Sequence, residues 1–316
     1  MSEAISAVAG GVATLGPAGL SPGRLVFRRF LRHRLAVASG VVLLFLACAS
    51  LAAPLIASFL GQDVDAVDLF NRFGEASAEH PLGTDELGRD LLLRLLYGGQ
   101  VSLFVGMVGA VAAAAIGTIV GVIAGYAGGR IDALLMRLTD AVIALPLLPL
   151  LIILAALDFT KLGLPADMMR SSFGSLYIIL GIVALVGWTT VARLVRGATL
   201  SVREQDYVRA ATALGAGPMR IIVRHILPNV VSPIIVATTL SVGNVILTES
   251  ILSFLGLGIQ PPLPSWGNML TNAQELIWQA PALAIWPGLL IFTAVIAFNF
   301  LGDGLQDALD PRAEDP

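Results

Sequence analysis

The chain has 316 residues, 56% of them hydrophobic and 13% charged, with a mean hydropathy of +0.85; a soluble domain carries about 25% charged residues. This excludes an ordinary cytosolic enzyme and leaves room for six membrane helices of about 20 apolar residues each. A net charge of −3, with no basic patch outside short segments, argues against a nucleic-acid binder.

Residues 1–20 are rich in Ala and Gly, carry Glu3 and lack a basic n-region, so they read as a disordered tail rather than a cleavable signal peptide. Residues 21–34 offer Ser21 as an N-cap and Pro22 at the first helical position, and then mix Leu25, Phe27, Phe30 and Leu31 with five arginines up to Arg34. Two readings stay open there: a short amphipathic helix lying on the cytoplasmic lipid surface, or a basic juxtamembrane stretch that only fixes topology.

Apolar runs at 35–58, 101–127, 139–157, 175–195, 230–256 and 284–302 predict an all-α polytopic membrane protein with about six transmembrane helices. Pro146 and Pro149 interrupt the third, which predicts a kinked span. In the second, Gly109, Ala113, Gly117, Gly121 and Gly125 recur every four residues, a seam that permits close helix approach. Residues 59–100 form an external loop, 101–302 a core membrane domain with five of the helices, and 303–316 a cytoplasmic tail with Asp303, Asp307 and Asp310.

Arginine placement orients the chain. Fourteen of the 19 basic residues lie before span one, between spans two and three, within 193–229, or at Arg312, which puts both termini in the cytoplasm. Arg72, Arg89, Arg94, Lys161 and Arg170 fall on the other side. Lys161 is the sole lysine and has no phosphate-binding loop around it, so the chain is not a P-loop ATPase. Cys48 lies alone in an apolar run and reads as packing. His80 and His225 fall on opposite sides of the membrane and His33 is isolated, which leaves no histidine metal site.

The cytoplasmic segment 196–229 is too polar to cross and too regular for a linker. Ser201 to Glu204 fits a capping box, Tyr207, Ala210, Ala211 and Leu214 recur at helical spacing, and Gly215 to Pro218 breaks the pattern before Met219, Ile222, Val223 and Ile226. A helix, a turn and a second helix follow. The small Ala210 and Ala211 suit a docking element; an interfacial hairpin that merely joins two spans fits equally well on physics alone.

Several residues admit two readings. Glu249, inside span five, is either a carboxylate bonded to neighbours such as Asn244 or Ser250, or a site on a translocation path. Asp140 reads as a charge at a helix start. Asp63, Asp65 and Asp68 read as a solvated acidic loop, and the acids of 80–90 either join it or dock an external protein. Pro261, Pro262, Pro264 and Trp266 form a stiff outer turn with Trp266 as an interfacial anchor or part of a gate.

The segment also resembles the permease subunits of ABC importers, in particular the C-type subunit of the dipeptide/oligopeptide/nickel group. That family's cytoplasmic signature is Glu-Ala-Ala, three residues, Gly, nine residues, then Ile-x-Leu-Pro. Arg209, Ala210, Ala211 and Gly215 occupy the first part, and His225, Ile226, Leu227 and Pro228 the second, with Arg209 in place of Glu and His225 in place of Ile. The blocks 80–103, 252–270 and FNFLGDGLQDALDPR resemble the same group, with Gln100 and Gln306 where Arg is usual.

The resemblance runs from about Arg24 to Arg312 and implies a type I ABC importer transmembrane domain in the cell inner membrane. It implies no catalysis in this chain and no cofactor of its own, with ATP and Mg bound by two partner ATPases. A second homologous permease, forming a heterodimer, and an extracellular or periplasmic solute-binding protein complete the machine. The coupling loop it implies comprises Tyr207, Arg209, Ala210, Ala211, Leu214, Gly215, His225, Leu227 and Pro228, and the cargo would be peptides, nickel chelates or similar small solutes. A self-contained secondary transporter or channel is the alternative, and a membrane scaffold a third; an embedded charge at Glu249 alone and the lack of an internal repeat count against the first of these.

Overall fold

A computed structural model describes residues 22–157, 160–161, 173–271 and 273–309. The tail 1–20, the cap at Ser21, and Arg170, Asp310 and Arg312 lie outside the described residues. Helices dominate: α1 (Pro22–Arg32), α2 (Arg34–Leu51), α3 (Ala53–Leu60), α4 (Leu91–Ala127), α5 (Gly129–Ala144), α6 (Leu147–Ala155), α7 (Gly174–Arg203), α8 (Asp206–Ala213), α9 (Pro218–Ile221), α10 (Leu227–Phe254), α11 (Ala273–Leu276) and α12 (Ala282–Leu309). Among the described residues five helices are long and apolar enough to cross a membrane, or six if the pair α5 and α6, bent by 88°, is one span. That bend falls at Leu145–Pro146, where proline removes a backbone donor and disfavours a helical residue before it.

The helices differ from the apolar runs at their ends. Span one breaks at Ala52, because Pro54 opens a new helix, α3, which Gly61 then closes in a left-handed conformation. Helix α4 starts at Leu91, well ahead of the run at 101, since Asp90 accepts a hydrogen bond from the Leu93 amide and caps it. Helix α12 continues to Leu309, so Asp303 and Asp307 stand on its last turns rather than in a tail. Cys48 is exposed on the outer face of α2.

The seam in α4 meets α7. A Cβ at Gly117 would stand 2.6 Å from the Trp188 carbonyl, one at Gly121 2.6 Å from the Ala192 carbonyl, and one at Gly125 2.7 Å from Thr199 Cβ. Only hydrogen fits at these positions, which brings the two backbones together along much of their length. On its other side α4 receives α10, with Ile246 and Val242 over Gly106. Helix α10 in turn packs on α12, where Gly302 accommodates Leu240. A core of Val105, Ile179, Val183, Ile246, Leu252, Trp266 and Ala294 fills the space between these four helices.

Two residues take places other than those expected from sequence. His33 is not isolated: its Nδ1 accepts from the Ala36 amide, capping α2, while Nε2 lies 3.6 Å from Asp307. Asp140 sits near the end of α5, not at its start, and pairs with Arg193 of α7. Asp132 in the first turn of α5 receives both the Nε and Nη2 groups of Arg196, a bidentate pair that fixes α5 against α7.

The block 80–90 is a built structure rather than a solvated loop. Asp85 is buried and accepts from the amides of Leu87 and Arg89 and from Arg89 Nε at 2.7 Å. Asp90 is buried too, with His80 Nδ1 3.0 Å from its Oδ2. Their inward bonding leaves Asp63, Asp65, Asp68, Glu75 and Glu79 as the exposed acids of this region, with Glu86 half-buried.

Candidate functional site

The hairpin between α7 and α10 is assembled from three local signals. Helix α7 runs on through Ser201 and Val202 to Arg203, so Ser201 caps nothing and the capping box is absent; Gln205 stands at the N-cap of α8 instead. The S-x-x-E spacing also occurs inside a continuing helix, and here the apolar face of α7 still has Val202 to bury. Glu204, freed from that role, accepts from Arg209 Nη2 at 2.6 Å.

Helix α8 ends where Gly215 adopts φ +83, with the Ala216 amide donating to the Ala211 carbonyl and the Gly215 amide to Thr212. This left-handed closure satisfies the carbonyls that the helix end leaves over, and glycine enters it without steric strain. Pro218 then opens α9. A single π turn over Ile222–Ile226 leads into α10, with the Leu227 amide reaching back to Ile222. Pro228 follows and has no amide to offer Arg224, which explains a widened turn at this point.

One face of the hairpin is a small core. Val208, Ile221, Ile226 and Val230 are buried together against Tyr126, Ala198, Val202 and Ala216, so α8 and α9 are clamped to the ends of α4, α7 and α10. Arg203 reinforces the clamp by donating to the Tyr126 carbonyl at 2.9 Å, one of the carbonyls a helix C-terminus leaves unpaired. The Tyr207 and His225 rings lie 6.2 Å apart and tie α8 to the π turn.

The other face is open. Leu214 is 88% exposed and Met219 73%, and Tyr207 and Val223 join them. Ala210 is exposed and Ala211 half-buried beside them, Leu227 is half-buried, and Pro228 is exposed at the far end. Arg209 and Glu204 sit at the rim, where the Arg209 guanidinium, by hydrogen bond first and charge second, holds the Glu204 carboxyl below the usual carboxylate range. Thus the structure brings Tyr207, Arg209, Ala210, Ala211, Leu214 and Gly215 onto one element and His225, Leu227 and Pro228 onto the next. Sequence reasoning missed Arg203 and Tyr126, because a side chain reaching a distant carbonyl leaves no local pattern.

Glu249 lies far from this surface. It is fully enclosed, with Ser253 Oγ donating to Oε1 at 2.7 Å and Ser102 Oγ donating to Oε2 at 3.2 Å. Asn244 makes no hydrogen bond to it among the described residues; α4 supplies Ser102 from across the helix interface. The same Ser102 hydroxyl accepts from the Trp266 amide. Trp266 is therefore no interfacial anchor: it is buried, and its indole donates to the Leu95 carbonyl at 2.9 Å. The turn from Pro261 to Trp266 folds into the bundle at this point, where the sequence reading placed it in the interface. Between the blocks 85–94 and 253–271 it leaves a cleft of about 270 Å³, lined by Arg89, Arg94, Gln260 and Asn268.

Residues 117–315 match the family described as binding-protein-dependent transport system inner membrane component, and residues 21–71 match the N-terminal transmembrane domain of oligopeptide transport permease C. The chain belongs to the binding-protein-dependent permease family. Its relatives include the oligopeptide transport system permease protein OppC of Haemophilus influenzae, 38% identical over 90% of this chain and 87% of that protein. The glutathione transport system permease protein GsiD of Pectobacterium atrosepticum is 40% identical, covering 92% of each chain. A dipeptide transport system permease protein DppC of Bacillus subtilis is 40% identical over 90% of this chain and 84% of its own length. The chain is thus a type I ABC importer transmembrane domain and a multi-pass inner membrane permease subunit.

Proposed function

We propose that this permease forms half of the translocation pathway for peptides or similar small solutes and is driven through the 202–229 hairpin by a separate ATPase. The observation that carries this reading is the two-sided hairpin: a buried core clamps it to α4, α7 and α10, while Leu214, Met219 and Val223 project from it uncovered. Exposed apolar side chains on a rigid element mark a docking surface. Force applied there moves three membrane helices together, as rigid-body rocking between inward- and outward-facing states requires.

ATP and Mg belong to two partner ATPases, a second homologous permease completes a heterodimeric pore, and a solute-binding protein delivers cargo to the outer face. Both termini lie in the cytoplasm, in accord with the arginine bias. The glutathione, dipeptide and oligopeptide systems to which the relatives belong by name support a peptide-like cargo. Co-expression with neighbouring ATPase genes tests the coupling. Leu214→Asp should abolish ATPase co-purification while the permease still folds, and retention of the ATPase would refute the docking role.

A further inference from the structure

Several asparagine side chains, on the helices and in the turn before α11, are held within the protomer. The carboxamides of Asn229 and Asn299 donate to the carbonyls of His225 and Val295, and that of Asn268 donates to Ile259 and Leu263. Asn244 differs. It is exposed on α10, about 25 Å of helix rise beyond Leu227, and its carboxamide makes no hydrogen bond among the described residues.

Its direction follows from the helical period. Val242 and Ile246, two residues to either side, pack on Gly106 of α4, so Asn244 stands on the opposite face of α10. Ser241 and Thr248 share that face by spacing. Their hydroxyls donate to the carbonyls of Ala237 and Asn244 and keep lone pairs to spare. A free carboxamide against hydrocarbon carries a heavy transfer penalty. Water or a polar solute removes that penalty, as does no apolar neighbour.

We propose that Asn244 lines the solute path and exchanges hydrogen bonds with the amide or carboxyl groups of the cargo, with Ser241 and Thr248 as flanking acceptors. The inference rests on the importer reading above and adds the residue that meets the cargo. Glu249, five residues further along α10 but turned inward onto Ser102 and Ser253, holds α10 against α4 and leaves Asn244 facing outward.

The test uses the whole complex of permeases and ATPases in proteoliposomes, with the exposed Cys48 removed as C48A. Single cysteines replace Asn244 or, as an apolar control, Phe45 of α2, which is 68% exposed. The probe is a membrane-impermeant sulfonated thiosulfonate, applied without nucleotide and again with ATP and vanadate. The expected result is labelling of N244C at least about tenfold faster than F45C, the contrast expected of wet and lipid-facing positions, with a rate that changes between the two nucleotide states. Labelling as slow as F45C in both states overturns the proposal, and so does an equal rate in both, which would mark a fixed wet crevice. If no ATPase co-purifies with the unmutated permease, the importer reading itself fails, and this inference with it.

Discussion

Gly121 of α4 lies against the carbonyl of Ala192 in α7, so near that a methyl group on Gly121 would stand 2.6 Å from that oxygen and 2.9 Å from Val195 Cβ. Backbone and a β-branched side chain are the obstacles, and neither can swing aside. Gly121→Ala should therefore destabilise by about 1–3 kcal/mol, the range for overpacking a tight interface. Gly181→Ala in α7, where an added Cβ meets nothing within 4 Å, should be neutral or gain a few tenths through helix propensity, about 0.5–1 kcal/mol at most. Thermal unfolding of the two variants in the same detergent measures the difference, and equal melting temperatures would contradict the seam.

Gly215 poses the opposite case. An added Cβ there meets nothing within 4 Å, yet φ is +83. Gly215→Val should then act only through the backbone, costing roughly 1–2 kcal/mol of strain in the turn. The bundle should survive with its melting temperature little changed, while the α8 end opens and ATPase co-purification falls. Protease sensitivity confined to residues around 215 is the measurement. Gly215→Asn should be the mildest replacement, since asparagine tolerates this conformation better than other side chains.

The contrast shows what the sequence made legible. Glycines every four residues announced a tight seam, because close approach needs small residues, but nothing in the spacing named α7 as the partner. The helix–turn–helix of 196–229 was visible for the same reason: Gly215 and Pro218 punctuate it locally. Trp266 was misread since a tryptophan beside prolines looks the same whether its indole faces a headgroup or the Leu95 carbonyl. Likewise Ser201 and Glu204 carry the spacing of a cap, and only the burial of Val202 shows that the helix runs through them. Long-range partners such as Ser102 for Glu249, 147 positions apart, leave no local trace.

That pair supports a third prediction. Glu249 receives two serine hydroxyls in a space closed to solvent, and Ser102 also receives the Trp266 amide. Glu249→Gln keeps an acceptor and nearly the same volume, so the outer turn should stay docked and stability should fall by about 1 kcal/mol, one ordinary hydrogen bond. Glu249→Ala removes both acceptors and opens a cavity, and a loss of about 3 kcal/mol or more is expected. Trp266 fluorescence reports on it directly: its emission should stay blue-shifted in the glutamine variant and move red in the alanine one, once the fluorescence of the other tryptophans is subtracted by Trp266→Phe.

The rim of the hairpin supplies a pH prediction. Arg209 donates to Glu204 at 2.6 Å and lowers its carboxyl below the ordinary value of 4.5. A carboxyl lowered in the folded state contributes stability that is complete above its unfolded value and disappears as pH falls through the lowered one. The pair should thus be intact at neutral pH and open only in acid below 4.5, with high salt weakening it because both groups face solvent. Arg209→Ala should return the Glu204 titration to the ordinary range. An infrared titration of protein carrying carbon-13 glutamate, with Glu204→Gln to assign the band, reads that shift. If the band titrates alike with and without Arg209, the ion pair does not persist in solution and Arg209 stands free on the open face of the hairpin.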